Sequence, residues 1–554
     1  MRSAKPVRLG AVLVALAVLT ATACSGDDGG SAGQSAAPDA AAGEPAPGGV
    51  LNYVTDVEPT CWDLQQQSTI ASQTLLRNVL DSLVRLTPDG EFHGWLAESW
   101  EVSPDGTAYT FTLRDGVTFH DGTPLDAEAV VFNLDRWIAS GINLAPSVPY
   151  ESATATDPLT VTVQLTEPYA PLLQILSMPI VSIVSPASVE QYTPEQLCAG
   201  GEAIVGSGPF RSAAYVQGQS WTLQRNDDHD WAPENADHTG PAHLDGVEVT
   251  FIQENSTRVG ALSSGQAHVV SNVPPVDVAN LRGGETDVLT AEAPGIPYSL
   301  QLNTAAGPFA DPAVREALRL GVDYDALVES LYHGLFPRAW SLLTPATANA
   351  YDASLEGEHA FDLDAARTLL DEAGWVAGDD GIRVRDGQRL EAAWIVNQAW
   401  IREQRDVLGE GIQDAARELG IDLQRETLDP GTFTARAQAG DYDLTDMSQS
   451  RAEGDMLNLA YRSTLTPAGG GVNYAQLDDP EVDRLLGDAA RATDPAQRAD
   501  LYAQVQQLLS DGSVAIPVYV PTYLLGTRTD VHGVHFDAPG VPWSFYDVWL
   551  DRAQ

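Results

Sequence analysis

Lysine is almost absent from this chain of 554 residues. The only one is Lys5; every other basic residue is an arginine or one of ten histidines. The body of the protein therefore holds no P-loop lysine, no Schiff-base lysine and no kinase-type phosphate lysine. Positive charge is scarce altogether, with 30 Lys+Arg against 77 Asp+Glu and a formal charge of −47. Such a surface lacks the basic face that nucleic acid recognition needs, and it is repelled by anionic lipid. Long apolar runs are missing as well: no later stretch reaches the ~18 residues that cross a bilayer. Cysteine is limited to Cys24, Cys61 and Cys198, with no CxxC pair and no histidine at zinc-site spacing. There is no HExxH, and no G-x-S-x-G stands between an expected strand and an expected helix. His229, His238 and His243 fit no zinc pattern and read as part of a solvated acidic loop, while Gly206-Ser207-Gly208 reads as a turn. Carboxylates are too numerous for one glycosidase pair to stand out. The chain reads as a non-enzyme, without metal or cofactor.

What is present begins with an export signal. Arg2, Lys5 and Arg8 precede a short apolar run at 11–19, which ends in Ala21-Thr22-Ala23-Cys24. A charged start, a brief apolar core and a small-residue cleavage site describe a secretory signal over 1–23. Cys24 after the small residues resembles a bacterial lipobox, in which that cysteine is acylated and becomes the first mature residue; Ala21 stands where leucine is usual. An ordinary signal peptide with an incidental cysteine is the alternative. Residues 24–49, rich in Gly, Ala, Ser and Pro, cannot bury a core and read as a tether of roughly 25–30 Å reach. Removing three positive charges with the signal takes the net charge from −47 to about −50. Cys61 and Cys198 then remain, and in an oxidising exported compartment they read as one disulfide, with two buried free thiols as the alternative.

A chain this long exceeds a single core. Alternating strands are expected at 51–54, 109–113, 160–165, 247–252 and 299–302. Helical spacing covers 70–83, 126–137, 312–320, 364–373, 404–419 and 495–509. No fixed-period repeat is present, so α/β lobes are expected.

The densest signal lies between residues 86 and 137. Leu96-Ala97-Glu98-Ser99-Trp100, the turn Ser103-Pro104-Asp105-Gly106, the strand Tyr109-Thr110-Phe111-Thr112-Leu113, the turn Asp115-Gly116, His120-Asp121-Gly122-Thr123-Pro124 and the helix start Asp126-Ala127-Glu128 follow one another. Turn residues separate short alternating strands, and Asp126 is placed to cap a helix. This order and spacing resembles the signature of the peptide/nickel-type (family 5) extracellular solute-binding proteins of ABC importers. The resemblance continues through Val205-Gly206-Ser207-Gly208-Pro209-Phe210, Leu223-Gln224-Arg225-Asn226, Val314-Arg315-Glu316-Ala317-Leu318, Ala365 to Trp375, and Phe545-Tyr546-Asp547-Val548-Trp549.

The resemblance implies a two-lobed, periplasmic-binding-protein-like α/β fold (type II, Venus-flytrap) with a subdomain inserted in the first lobe. It implies a first lobe built from 50–84, 205–300 and 522–554, an insertion at 85–204 and a second lobe at 301–521. It also implies a monomer that closes on a small solute or peptide and delivers it to ABC permease subunits, held outside the membrane through Cys24 in the manner of a Gram-positive lipoprotein. A ligand-sensing surface lipoprotein, or a binding protein for a saccharide, opine-like solute or chelated nickel, would use the same fold. The cleft walls implied are Gln67 and Ser68 on one side and the 446–457 segment on the other. There, Glu453 stands roughly where peptide binders carry an aspartate for the ligand's α-ammonium. Arg451 could pair a ligand carboxylate, or make a salt bridge to Glu453 or Asp455. Gly454, where a proline is usual, is expected to loosen the loop. Trp400 and Tyr519 are candidates for stacking on ligand, and Trp62 for covering the disulfide.

Overall fold

The computed structural model describes residues 44–142, 144–536 and 544–551. The signal sequence, Cys24 and most of the tether fall outside them.

Sixteen strands in three sheets position the site. Strand β1 (Val50–Thr55) is followed by β2 (Ala97–Val102), β3 (Ala108–Leu113), β4 (Tyr150–Asp157) and β5 (Thr160–Leu165). Next come β6 (Phe210–Val216), β7 (Ser220–Arg225), β8 (Gly246–Phe251), β9 (Val269–Val270) and β10 (Thr286–Glu292). The chain continues through β11 (Gly295–Leu302), β12 (Glu391–Asn397), β13 (Asp422–Leu428), β14 (Leu444–Ser450), β15 (Ala515–Tyr519) and β16 (Thr522–Arg528). The seven-stranded sheet has the order β10-β16-β9-β1-β8-β7-β6 and the five-stranded sheet β13-β12-β14-β11-β15. The third sheet, β2-β3-β5-β4, is drawn wholly from the stretch between β1 and β6.

Local chemistry accounts for the small sheet. Tyr109, Phe111 and Leu113 of β3 and Val161, Val163 and Leu165 of β5 are buried on one face, with Phe111 opposite Val161 and Thr110 opposite Thr162. Strict alternation leaves only this register able to bury the apolar face. The Asp126 carboxylate accepts from the Ala129 N–H and starts the helix Ala127–Ser140, whose Ala129, Val130, Asn133 and Leu134 are buried. This sheet shares one apolar core with the seven-stranded sheet, through Tyr109, Phe111, Tyr169, Leu51, Tyr53 and Leu223 among others.

Two expectations change. The apolar spacing at 70–83 predicts one helix, but the helix spans Ile70–Leu76 only. Beyond it the backbone bonds elsewhere: Phe210 N–H donates to Asn78 O, Gly208 N–H to Val79 O, Ile183 N–H to Asp81 O and Leu96 N–H to Ser82 O. Those tertiary partners replace the i→i−4 ladder. Residues 295–300, placed above in the first lobe, pair with β14 and β15 in the five-stranded sheet. Pro297 hides the start of that strand in sequence, and the register shifts there between Ile296 and Ser299.

The two large sheets are joined twice, at Ala293–Pro294 between β10 and β11 and at Val520–Pro521 between β15 and β16. Ala293 N–H donates to Pro521 O at 2.8 Å, tying the crossovers together. The carboxyl ends of β12 to β15 share one edge of the five-stranded sheet with Gly295, and those of β1, β8, β9 and β10 share one edge of the seven-stranded sheet. Both crossovers leave from these edges. Carboxyl edges at such a connection are where open α/β sheets bind ligands.

Candidate ligand-binding site

The edge of the five-stranded sheet carries two neighbouring clusters of buried charge. The first centres on Arg405, at the start of the helix Arg405–Leu419. Its Nε donates to Tyr519 Oη at 2.8 Å, and Nη2 donates to Glu403 Oε2 at 2.9 Å and Ser448 Oγ at 2.8 Å. Its Nη1 donates to Trp400 O at 3.3 Å, and the guanidinium lies 4.7 Å from the Tyr298 ring centroid. Tyr519 Oη donates to Glu403 Oε2 at 2.6 Å, and Tyr298 Oη donates to Asp446 Oδ2 at 2.7 Å. Burial works against the charge on Arg405, but Tyr519 and Glu403 hold its pKa above the usual arginine value. Glu403 and Gln404 both have left-handed backbone, φ 54° and 56°. Strain of that kind persists only where the surroundings fix it; here Tyr332 Oη donates to Glu403 O at 2.7 Å.

The second cluster follows β14. Arg451 N–H donates to Pro294 O at 3.0 Å, so the loop starts on the crossover itself. Gly295, with φ 101°, lies under this loop, and a Cβ there would stand 2.4 Å from Gln449 O. The Arg451 guanidinium is buried, and its one hydrogen bond runs from Nε to Met456 Sδ at 2.9 Å. Burial lowers its pKa, with Tyr169 and Asp455 as the main counterweights. Glu453 is nearly buried, with Oε1 3.7 Å from Arg498 Nε. Asp455 is buried and its pKa is pushed up to about 6, first by desolvation, with Arg451 and Tyr169 opposing. Its Oδ2 accepts from Tyr169 Oη at 2.8 Å, while Oδ1 has no partner. Tyr502 Oη, also buried, has none. Buried polar atoms without partners cost about 1–3 kcal/mol each, so this loop carries polar groups whose burial is not compensated.

Gly454 does not loosen this loop. A Cβ there would lie 2.4 Å from Tyr502 Cδ2 and 2.9 Å from Ala350 Cβ. The glycine lets the Tyr502 ring lie against the backbone and clamp it. The remaining predicted residues are spread around the edge. Trp400 is half-buried, with its ring 4.9 Å from Phe433 and 6.1 Å from Tyr474. Tyr519 is 0% exposed, stacked on Tyr298 and Phe336, so its ring presents no open face and its hydroxyl serves Arg405. Gln67 and Ser68 lie on the first lobe; Gln67 Oε1 accepts from Thr60 Oγ1 at 3.1 Å, and Ser68 Oγ is buried without a partner. Arg451 and Glu453 share one loop, and Arg405 links Trp400 with Tyr519.

The disulfide Cys61–Cys198 is present. It fixes the stretch before Gln67 to the helix Pro194–Ala199, helped by Gln66 Nε2 donating to Pro194 O at 2.8 Å. Trp62 lies over Gly200, two residues beyond Cys198, and packs on Trp221 at 4.6 Å. The histidines do not form a solvated loop. His229 is 1% exposed against Trp231 and Tyr546, and His238 stacks between His243 and Tyr546. Tyr546 of the carboxyl-terminal segment helps to bury His229 and covers one face of His238, which with His243 stays partly exposed.

Residues 91–470 match the sequence profile of the "Bacterial extracellular solute-binding proteins, family 5 Middle", more than half of the chain. The chain belongs to this family. Like its relatives, this family 5 protein is a solute-binding component and not an enzyme. It is 27% identical over 505 residues to the glutathione-binding protein GsiB of Escherichia coli K12, covering 89% of this chain and 92% of that one. NikA from Brucella suis, solved with Fe(III)-EDTA, superimposes with TM-score 0.77 at 26% identity, covering 91% of this chain and all of that one. AppA from Bacillus subtilis, solved with a nonapeptide, shares the fold at TM-score 0.75 and 21% identity, covering 92% of this chain and 100% of that one. The family 5 assignment accounts for the two-lobed architecture. Tyr502, Tyr169, Arg405 and Glu403 are not singled out from sequence, and Asp455 enters there only as a salt-bridge partner for Arg451. One signal for Arg405 existed: a basic residue at a helix start opposes the helix dipole.

Proposed function

We propose that this protein captures an oligopeptide or a related amino-acid-derived solute and hands it to an ABC importer permease. The observation that carries this reading is the Arg451–Asp455 loop. A buried guanidinium whose only hydrogen bond is to a thioether stands beside Glu453, Asp455 Oδ1 and Tyr502 Oη. Such a set matches a zwitterion: Arg451 receives the carboxylate, and the carboxylates with Tyr502 receive the ammonium. Trp400 on the same sheet edge, and Gln67 and Ser68 on the facing lobe, supply the walls. Tyr519 acts through Arg405 as a positioning residue. The GsiB likeness supports a peptide-sized solute, glutathione being the first to try. Cys24 tethers the mature protein to the outer face of the cell membrane.

Isothermal titration with reduced glutathione and a set of di- to pentapeptides, each with and without N-acetylation, tests the assignment. Free-amine peptides should bind and their acetylated forms should lose at least about tenfold in affinity. Equal binding of both forms would remove the ammonium site.

A further inference from the structure

The loop Glu167-Pro168-Tyr169-Ala170-Pro171 joins β5 of the small sheet to the helix Leu172–Ser177. Its conformation is fixed from within the first lobe: prolines flank Tyr169-Ala170, and Tyr109 Oη donates to Tyr169 O at 3.1 Å. Tyr169 belongs to the core shared by the small and seven-stranded sheets. Its contacts, however, reach the second lobe. Tyr169 Oη donates to Asp455 Oδ2 at 2.8 Å, Ala170 N–H donates to Ala490 O at 2.8 Å, and Glu167 Oε2 lies 3.5 Å from Arg491 Nε. These three contacts fall in one short loop. They meet the second lobe at the site loop and at the end of the helix Pro480–Arg491.

Their position relative to the crossovers matters. At the hinge side of the site loop, Ser450 Oγ and Tyr523 Oη are 2.8 Å apart, again joining the two lobes. Arg451 thus sits between two interlobe hydrogen bonds, one at Ser450 and one at Asp455. Rotation about Ala293–Pro294 and Val520–Pro521 that opens the lobes separates Tyr169 from Asp455. A bond made only when the lobes are together stabilises that state and no other.

We propose that Tyr169 is the residue through which the inserted sheet latches the closed form, and that it does so on the same carboxylate that receives the solute. The proposal rests on the reading of Arg451–Asp455 as the solute site. Asp455 offers Oδ2 to the latch and Oδ1 to the ligand, so a ligand held at Oδ1 orients the carboxylate for Tyr169. Ligand then binds the closed state better than the open one, and occupancy shifts the equilibrium.

The test uses the full mature chain with Tyr169→Phe, which removes only the hydroxyl, and Asp455→Ala, which removes both acceptor oxygens, as a second variant. Hydrogen exchange of peptides covering 167–171 and 455–460, measured without ligand, reads the latch directly. Protection of the Ala170 amide should fall about tenfold in Tyr169→Phe, while strands β3 and β12 keep theirs. The double variant should lose no more than the larger single loss, since both changes break one bond. Unchanged protection, or additive losses, would overturn the latch. In parallel, dissociation of reduced glutathione should speed up about tenfold in Tyr169→Phe. If the native protein does not bind glutathione, the choice of solute falls, and the exchange data still decide whether the latch exists.

Discussion

Two clusters of buried charge stand on one sheet edge, and they are finished differently. Around Arg405 each side of the guanidinium has a partner: Tyr519, Glu403, Ser448 and Trp400 O. Among the described residues, the Arg451 guanidinium has only a sulfur as hydrogen-bond partner, and Asp455 Oδ1 and Tyr502 Oη have none. Burying charge is costly in both places. The saturated cluster recovers the cost within the protein and fixes the strained Glu403-Gln404 backbone next to Trp400. The unsaturated one leaves it unrecovered.

Breaking the saturated cluster should have the largest effect on stability. Arg405→Ala leaves the half-buried Glu403 with only Arg402 and Tyr519 as partners and removes the bonds to Ser448 and Trp400 O, so it should cost about 3 kcal/mol in urea unfolding. Tyr519→Phe should cost less, since Arg405 keeps its other partners.

The unsaturated cluster should behave in the opposite sense. Asp455 titrates at about 6 in the closed protein, above its ordinary 3.8, and the charged and polar groups facing it are Arg451, Tyr169, Glu453, Asn458 and Tyr502. The folded state therefore holds this proton more tightly than the unfolded state. Its contribution is fully favourable below pH 4 and is lost as pH rises through 6. Asp455→Asn should raise stability at pH 7.5 by about 2 kcal/mol and flatten the pH dependence between 4 and 7. Melting curves across that range read both.

Gly454→Ala should cost about 1–3 kcal/mol, because the new methyl meets the Tyr502 ring. Combining it with Tyr502→Leu should give less than the sum of the two single losses in chemical denaturation. Arg451→Met sheds one buried charge but takes from Asp455 the main charge that opposes its desolvation, so it should cost about 1–2 kcal/mol at pH 7.5 and less below pH 6. The same variant should weaken peptide binding by at least about tenfold by calorimetry.

Much of this was legible from the residues. The strands at 109–113 and 160–165 and the helix after Asp126 follow from alternation and a cap, which are local. The 70–83 helix failed because Asn78, Val79, Asp81 and Ser82 bond to segments more than a dozen residues away, and no periodicity records that. The start of β11 was hidden by Pro297. In the site, Arg451 and Glu453 stood out because their segment resembles the loop in which peptide binders of this family carry an aspartate for the ligand's α-ammonium. Tyr169 could not, since its contact with Asp455 joins residues separated by 286 positions. The histidines were misread because Tyr546, which packs on His229 and His238, lies some 300 residues further along the chain.

Solute capture depends on whether the unsaturated cluster holds the ligand. Native mass spectrometry of the purified protein, followed by denaturing identification of whatever it releases, tests this beside Arg451→Met. The wild-type chain should carry a solute with a free amine and an acid group, and Arg451→Met should carry none. A neutral saccharide, or the same solute at equal occupancy on both proteins, would contradict it.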